Sequence, residues 1–272
     1  MRTLIFNFLI IFSVFLQGQN IAGIIKYRLT IFQGFDDRNM TSYLYFNDKK
    51  SLYAYDRLAY MTKEDSAEKA VVIAGQGKSK RKRDKYGQMY LIDKTTGKLS
   101  FREFIFSGVY ISQEDIPVIP WQLENETKII LGKVCKKATA EFRRRKYTVW
   151  YTSSIPVSVG PWKLQGLPGA ILEARSADNE VAFIAEEIEI PAYEQVEKEL
   201  NFTELPDGKI VTYKEFLEAM PKEKSAWLNK TQTTISALFE KAKQDGIASQ
   251  DLPTPKFDKV STFSLEKYPA LE

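Results

Sequence analysis

The sequence predicts a mainly β fold: an antiparallel meander that forms a curved sheet, open barrel or sandwich, followed by C-terminal α-helices. Three observations predict it. Aromatic residues make up 13% of the 272 residues, and aromatic side chains pack well on a pleated sheet. Short segments of alternating apolar and polar residues recur along the first two thirds of the chain, with turn residues between them. The last third changes to helical spacing after a capping box at residues 212–215.

The individual strands are predicted from the alternation and from the polar sequences that separate the alternating segments. Residues 47–50, 94–97 and 177–179 are typical of hairpin turns. The predicted strands cover residues 23–32, 41–46, 51–55, 88–93, 98–106, 118–123, 127–131, 133–142, 146–153, 170–176 and 180–190. Together they predict one antiparallel β domain over residues 19–200.

Two helices are predicted after this domain. The capping box begins a short helix that runs through Met220, and Pro221 then suits the first position of a second helix. Gly246 is a natural stop for that helix. Its apolar residues lie on roughly one face: Trp227, Ile235, Leu238, Phe239 and Ala242. We predict that the helices in 201–249 pack on the sheet, with partner binding as the alternative, and that 250–272 is an extended tail.

The N-terminus has the pattern of a secretory signal peptide. Arg2 precedes the apolar stretch of residues 4–16, and Gly18 supplies a small residue at a suitable cleavage position. The apolar stretch is shorter than the roughly 20 residues that span a bilayer. We therefore predict a signal peptide over residues 1–18, an exported protein of the periplasm or outer-membrane periphery, and no transmembrane span in the mature chain.

The composition excludes several classes of chemistry. The chain has no histidine and one cysteine, which excludes Ser-His-Asp and Cys-His catalysis, His-ligated metals, an internal disulfide and a Cys-x-x-Cys redox pair. Glu186, Glu187 and Glu189 are the best candidates for paired carboxylates, but they decorate one predicted strand instead of facing each other across a cleft. We predict no catalytic residues, no cofactor and no metal, hence a protein that is not an enzyme; a carboxylate hydrolase is the alternative.

Residues 62–87 are charged and predict a long exposed loop. The loop contains a basic cluster that can contact anionic lipid head groups or an acidic partner: Lys78, Lys80, Arg81, Lys82 and Arg83. With a net charge of only +4, the chain lacks the signature of a nucleic-acid binder. Ser66 lies in an Asp-Ser-Ala sequence that resembles an O-glycosylation acceptor of exported Bacteroidetes proteins. Residues 143–146 form a second basic cluster at a predicted hairpin turn.

Residues 155–173 are the most distinctive stretch. Leu167, Pro168, Gly169 and Ala170 fit a type II turn, in which proline presets φ and glycine supplies a positive φ. We interpret the stretch as a rigid apolar connector, with a ligand or partner surface as the alternative. Cys135 is interpreted as a small residue in a half-buried position; alternatively, its lysine neighbours lower the pKa of its thiol.

This stretch carries a resemblance to a known family. Residues 166–171 (GLPGAI) resemble the motif that names the GLPGLI family of the Bacteroidetes, and the similar block extends over residues 116–190. Ala170 departs from the motif, which has leucine there. The residues that carry the resemblance are Cys135, Trp150, Pro156, Gly160, Pro161, Gly166, Leu167, Pro168 and Gly169. The resemblance implies an exported protein of unknown activity, in some members found beside TonB-dependent outer-membrane transporters.

Two function hypotheses follow. The first is a non-enzymatic cell-envelope protein that binds a lipid or peptide on the concave face of its sheet, or that assists an outer-membrane transporter. The second is a structural or interaction module that acts through the C-terminal helices. Large side chains that fill the concave face would contradict a ligand groove there.

Overall fold

The computed structural model describes residues 21–32, 37–57, 84–105, 108–201 and 204–245. Several predicted features lie outside the described residues: the signal peptide, residues 62–83 of the basic loop with Ser66 and its lysines and arginines, and the tail over 250–272. The part of the chain that the structure describes forms one curved, twelve-stranded sheet with two helices. This architecture confirms the predicted mainly β fold.

The strands and helices follow one another in chain order. They are β1 (Gly23–Phe32), β2 (Asp37–Phe46), β3 (Lys50–Tyr55), β4 (Gln88–Asp93), β5 (Lys98–Ile105), β6 (Gly108–Asp115), β7 (Gln122–Ile130), β8 (Lys133–Phe142), β9 (Arg145–Thr152), β10 (Ala170–Ser176), β11 (Val181–Glu189), α1 (Tyr193–Leu200), β12 (Lys209–Ile210) and α2 (Tyr213–Gln244).

The sheet consists of two antiparallel meanders joined by the pairing of β1 with β11. The spatial order is β12-β6-β5-β4-β3-β2-β1-β11-β10-β9-β8-β7. The short strand β12 pairs in parallel with β6 and forms one edge, while β7 forms the other. The chain therefore returns to its first strand only after β10, a pairing that no local sequence pattern encodes.

Alternation along the strands gives the sheet two packed faces. In β1, Ile25, Tyr27 and Leu29 are fully buried in the main core, while the intervening Lys26 and Arg28 point away from it. The main core lies on one face of the sheet. A second cluster joins Leu52, Ala54 and other residues of β2 to β6 with Val196 and Leu200 of α1. Helix α1 therefore covers part of the other face.

Four predictions about individual elements are wrong. Strand β6 was not predicted, because its second half is polar (SQED) and lacks an apolar alternation. Residues 118–121 are irregular, and β7 spans the two short strands predicted at 118–123 and 127–131. Helix α1 lies inside the region predicted as purely β. One continuous helix, α2, passes through Pro221, which therefore does not begin a second helix; that position costs the helix one backbone hydrogen bond.

Candidate functional site

The connector, which we define as residues 153–169 between β9 and β10, packs against the face of the sheet that carries the main core. Its apolar side chains are almost completely buried: Ile155, Val157, Val159, Trp162, Leu164 and Leu167. Their burial favours the interpretation of this stretch as a rigid apolar connector over that of a ligand surface. The ligand groove on the concave face stays a prediction.

Trp162 is the centre of this packing. Its ring centroid lies 5.5 Å from that of Phe142, 6.3 Å from that of Tyr147 and 6.5 Å from that of Tyr90. These three residues come from β8, β9 and β4, so one side chain joins the two halves of the sheet. Aromatic pairs at such distances add to the stabilisation from buried area. Within the described residues, Nε1 of Trp162 has no hydrogen-bond partner, so its role here is packing.

Lys163 follows Trp162 and is fully buried. Its Nζ donates a hydrogen bond to Oε1 of Glu114 at 2.7 Å and lies 4.3 Å from the centre of the Phe101 ring. Arg143 donates to the other carboxylate oxygen of Glu114 and, at 2.9 Å, to the hydroxyl of Tyr213. We define Lys163, Glu114, Arg143 and Tyr213 as the polar cluster. It ties the connector to β6, to the β8–β9 turn and to the first turn of α2.

The LPG turn differs from the predicted type II turn. The N–H of Gly169 donates to the carbonyl of Leu167 at 2.8 Å, which is a γ-turn around Pro168. The N–H of Ala170 instead donates to Ile155 at 3.2 Å. A Cβ on Gly169 would lie 2.1 Å from the carbonyl oxygen of Thr152, and its φ is +151°. Glycine is thus required by the close approach of β9.

The other motif residues divide between the interior and the surface. Gly160 and Pro161 are buried, and a Cβ on Gly160 would lie 2.4 Å from the carbonyl oxygen of Leu164. Pro156, Gly166 and Pro168 are exposed. Most of the distinctive block therefore serves the packing of the connector, and its exposed residues are isolated from one another along the chain.

Cys135 and Trp150 lie on the opposite face of the sheet from the connector. Cys135 is completely buried rather than half-buried. Burial raises the pKa of its thiol, which contradicts the alternative that neighbouring lysines make it reactive. Trp150 is covered by Lys128, whose Nζ lies 4.4 Å from the ring centre and 2.7 Å from Oε2 of Glu173.

Two of the three candidate catalytic carboxylates form ion pairs with side chains of β1. Oε1 of Glu187 lies 2.5 Å from Nζ of Lys26, and Oε1 of Glu186 lies 3.6 Å from a guanidinium nitrogen of Arg28. Glu189 pairs in register with Ile24. Among the described residues, there is no group of three or more acidic or cysteine side chains that could hold a metal ion.

The second basic cluster has a structural role. Arg143 and Arg144 are the two central residues of the β8–β9 turn, with φ of +50° and +60°. Arg145 is buried, and its guanidinium pairs with Asp178 and Glu180. Arg143 is committed to the polar cluster, so the residues do not present one open basic patch.

Helix α2 has an anchored start and an exposed remainder. Phe216 and Met220 are buried against the sheet, and the ring centroid of Phe216 lies 5.0 Å from that of Phe101. The Tyr110 hydroxyl donates to Glu223 at 2.8 Å; burial and then this hydrogen bond raise the Tyr110 pKa to about 12. From residue 225 onward, every side chain of α2 that the structure describes is exposed. The side chains of Trp227, Ile235, Leu238, Phe239 and Ala242 lie outside the description.

An open cleft of about 400 Å³ lies between α1 and the β2–β3 turn. Its floor is apolar, with Ala22, Val196 and Leu200, and its rim includes Asp48, Lys49, Glu197, Asn201 and the exposed Tyr193. Sequence reasoning did not find this cleft, because α1 was not predicted.

A second surface that sequence reasoning missed is the turn between β7 and β8. Ile129 and Val134 face each other across the two strands and are 74% and 63% exposed. Leu131, in the turn itself, is 46% exposed. We define Ile129, Leu131 and Val134 as the β7–β8 tip.

The described helices include none that is both long and apolar enough to cross a membrane. The fold places the chain among mainly β proteins built on one curved, largely antiparallel sheet. The chain belongs to the family described as "N-glycanase peptide, N-terminal domain", which matches residues 47–215. No curated protein sequence matches the chain significantly.

Several solved structures have a fold similar to that of this chain. Two structures of PNGF-II, in C2 and P21 space groups, share 16% and 14% sequence identity with the chain, with TM-scores of 0.50 and 0.49. Each match covers 75% of this chain, which spans only 33% and 34% of those chains, so about a third of their length. A Vibrio parahaemolyticus domain described as that of an outer membrane lipoprotein-sorting protein shares 10% identity, with coverage of 68% and 92% and a TM-score of 0.29. The likeness to PNGF-II concerns the fold alone.

Proposed function

We propose that this chain is an exported, non-enzymatic accessory module of the cell envelope that binds a partner protein through the distal arm of α2, residues 225–244. The observation that carries this proposal is that the arm extends beyond the anchored start of the helix with all its described side chains exposed. At 1.5 Å per residue, an arm of this length extends roughly 30 Å.

The sequence of the arm supports partner binding. A helix that projects into water without packing is usually polar all round, whereas this one carries Trp227, Ile235, Leu238 and Phe239 at helical spacing. Its described residues are all exposed and, apart from Ala226 and Ala237, polar; they include Asn229, Gln232, Thr233, Ser236 and Lys241. An amphipathic helix of this kind suits a hydrophobic groove on another protein.

Several observations support the envelope location. Residues 1–18 have the signal-peptide pattern, and the resemblance to the GLPGLI family implies export and, as in some members, proximity to a TonB-dependent transporter. Membership of a family described as an N-terminal domain supports an accessory role beside another component. We therefore propose an outer-membrane transporter component as the partner of the arm.

The absence of enzymatic activity is part of the proposal. Without histidine, catalysis would depend on carboxylates, lysine or tyrosine. The buried Lys163 and Glu114 are bonded to each other, and the polar groups of the connector are used to hold it in place. We do not assign the glycanase activity named in the family description to this chain, because the chain spans only about a third of PNGF-II.

The experiment is an affinity capture from envelope extracts with the full chain and with the variant Ile235→Ser/Leu238→Ser. We expect the full chain to retain a transporter component, identified by mass spectrometry, and the variant to lose it. The matched control is Gln232→Ala/Ser236→Ala, which changes exposed polar residues of the same helix and should keep the partner. Equal capture by all three chains, or no transporter component with the full chain, would refute the proposal.

The cleft beside α1 favours a second candidate function, the binding of a sugar. An exposed aromatic ring, an apolar floor and a rim of amide and carboxylate groups suit the apolar face and the hydroxyls of a sugar ring. A ligand in the cleft would also agree with the glycanase in the family description. Titration with free N-glycans should show binding that Tyr193→Ala and Asn201→Ala abolish; a null titration with the full chain would exclude this candidate.

A further inference from the structure

The β7–β8 tip is an apolar cluster at one edge of the sheet. Ile129 and Val134 are directly opposite each other in the register, so their side chains lie on the same face. Leu131 occupies the turn between them, and all three side chains are exposed. Single exposed apolar side chains are common on proteins, but three at the tip of one projecting hairpin form a coherent apolar surface.

The turn itself carries an unusual residue. Leu131 and Gly132 are the two central residues of a two-residue hairpin, with φ of +48° and +72°. Such turns favour Asn-Gly, because both positions need a positive φ. Leucine is disfavoured in this backbone region. The sequence thus places a large apolar residue at the outermost position of the hairpin despite a conformational cost.

Positive charge accompanies the apolar tip. Lys133 begins β8, and the exposed Lys136 shares a face with Val134 two residues earlier. Within the described part of the chain, neither Lys133 nor Lys136 has an ion-pair partner, whereas their neighbours Lys128 and Lys137 pair with Glu173 and Glu124 at 2.7 and 2.9 Å. The two lysines are therefore available to an anionic surface.

We propose that the β7–β8 tip docks the protein onto an anionic lipid membrane, with Ile129, Leu131 and Val134 in the headgroup–acyl boundary and Lys133 and Lys136 against the lipid phosphates. Apolar side chains with flanking lysines are the combination that binds this interface. A second copy of the chain fits the edge less well, because β7 carries a register shift between Leu123 and Thr127, and a bulge disfavours edge pairing. The proposal stands independently of the arm of α2.

The test is co-sedimentation of the full chain with vesicles of equimolar phosphatidylcholine and phosphatidylglycerol. We expect Ile129→Ser/Leu131→Ser/Val134→Ser to lower the partition coefficient by at least about tenfold, because it removes the inserted apolar area. Lys133→Gln/Lys136→Gln should weaken binding to these vesicles without changing the weaker binding to phosphatidylcholine alone. All replaced side chains are exposed or half-buried, and unchanged thermal midpoints would show that the variants are folded.

The matched control is Ile210→Ser. Ile210 is 74% exposed, like Ile129, but lies in β12 at the opposite edge of the sheet. We expect this variant to bind as the unchanged chain does. Equal binding by the triple variant and the unchanged chain would overturn the proposal. The basic loop around residues 78–83 would then be the better explanation of the membrane binding. An equal loss with Ile210→Ser would overturn it as well, as would no binding by the unchanged chain.

Discussion

Nζ of Lys163 lies 2.7 Å from Oε1 of Glu114, and this lysine is completely buried beneath the sheet. The pair joins the connector to β6, two segments that the sequence separates by 49 positions. Because Arg143 shares the same carboxylate, Glu114 holds two cations. One acidic side chain therefore joins the connector and the β8–β9 turn to β6.

Glu114→Gln should destabilise the fold strongly. The substitution removes the carboxylate charge that pairs with the buried Lys163 ammonium, and breaking a buried ion pair from one side costs about 3–5 kcal/mol. Lys163→Met should cost less, because Glu114 keeps Arg143. The control is Lys98→Met, which breaks an exposed pair with Asp115 at 2.6 Å and should cost no more than about 1 kcal/mol. Urea denaturation measures all three; equal losses from Glu114→Gln and Lys98→Met would contradict the structural role of the cluster.

Gly169→Ala should disrupt the connector. The new methyl group would lie 2.1 Å from the carbonyl oxygen of Thr152, so the backbone of β9 or the turn must move. We expect a loss of about 3 kcal/mol or more in the free energy of unfolding. Gly97→Ala is the control, because its φ is also positive and its surroundings are open; it should cost only about 1 kcal/mol. Similar thermal midpoints for the two variants would be the contrary result.

The thiol of Cys135 should be inert in the folded protein. Burial raises its pKa, so a smaller fraction is thiolate at any given pH, and the side chain is inaccessible. Reaction with a disulfide reagent should proceed at the rate of global unfolding and become fast in denaturant. Rapid labelling under native conditions would mean that β8 opens locally or that the thiol is activated.

Alkaline solution should destabilise the protein through its buried tyrosines. Burial raises the pKa values of Tyr27, Tyr53 and Tyr55. A raised pKa in the folded state gives stability that is present below the unfolded value, and this stability is lost as pH rises above about 10. Urea unfolding at increasing pH should show this decline. Tyr53→Phe should make the decline shallower, because it removes one of the buried hydroxyls.

Leu131→Asn should separate stability from membrane binding. Asparagine tolerates the positive φ of +48° better than leucine, so we expect the free energy of unfolding to rise by about 0.5–1 kcal/mol. The same substitution removes one apolar residue of the β7–β8 tip and should weaken vesicle binding. A variant that is both more stable and equally well bound would show that Leu131 contributes nothing to docking.

The sequence predicted much of the local structure because strand alternation and turn residues are local signals. The hairpin turns at residues 47–50 and 94–97 lie where polar residues and Gly97 indicated them, and the boundaries of β8 and β9 agree with prediction to within one residue. Prediction failed at β6 and at Pro221. Strand β6 is stabilised by its pairing with β5 and with the distant β12, and α2 continues through Pro221 at the loss of one backbone hydrogen bond.

By itself, the sequence determined the β class of the fold, most of its strands and the chemical exclusions that follow from the missing histidine. The tertiary structure decided which faces are covered. Ile129 and Val134 lie on paired strands of the same sheet as Tyr147 and Val149, yet the first pair is exposed and the second buried. Likewise, Lys163 is completely buried where its ammonium pairs with Glu114, a residue of a distant strand. The alternation of residues predicts that a strand has two different faces, whereas long-range packing determines which face is exposed to solvent.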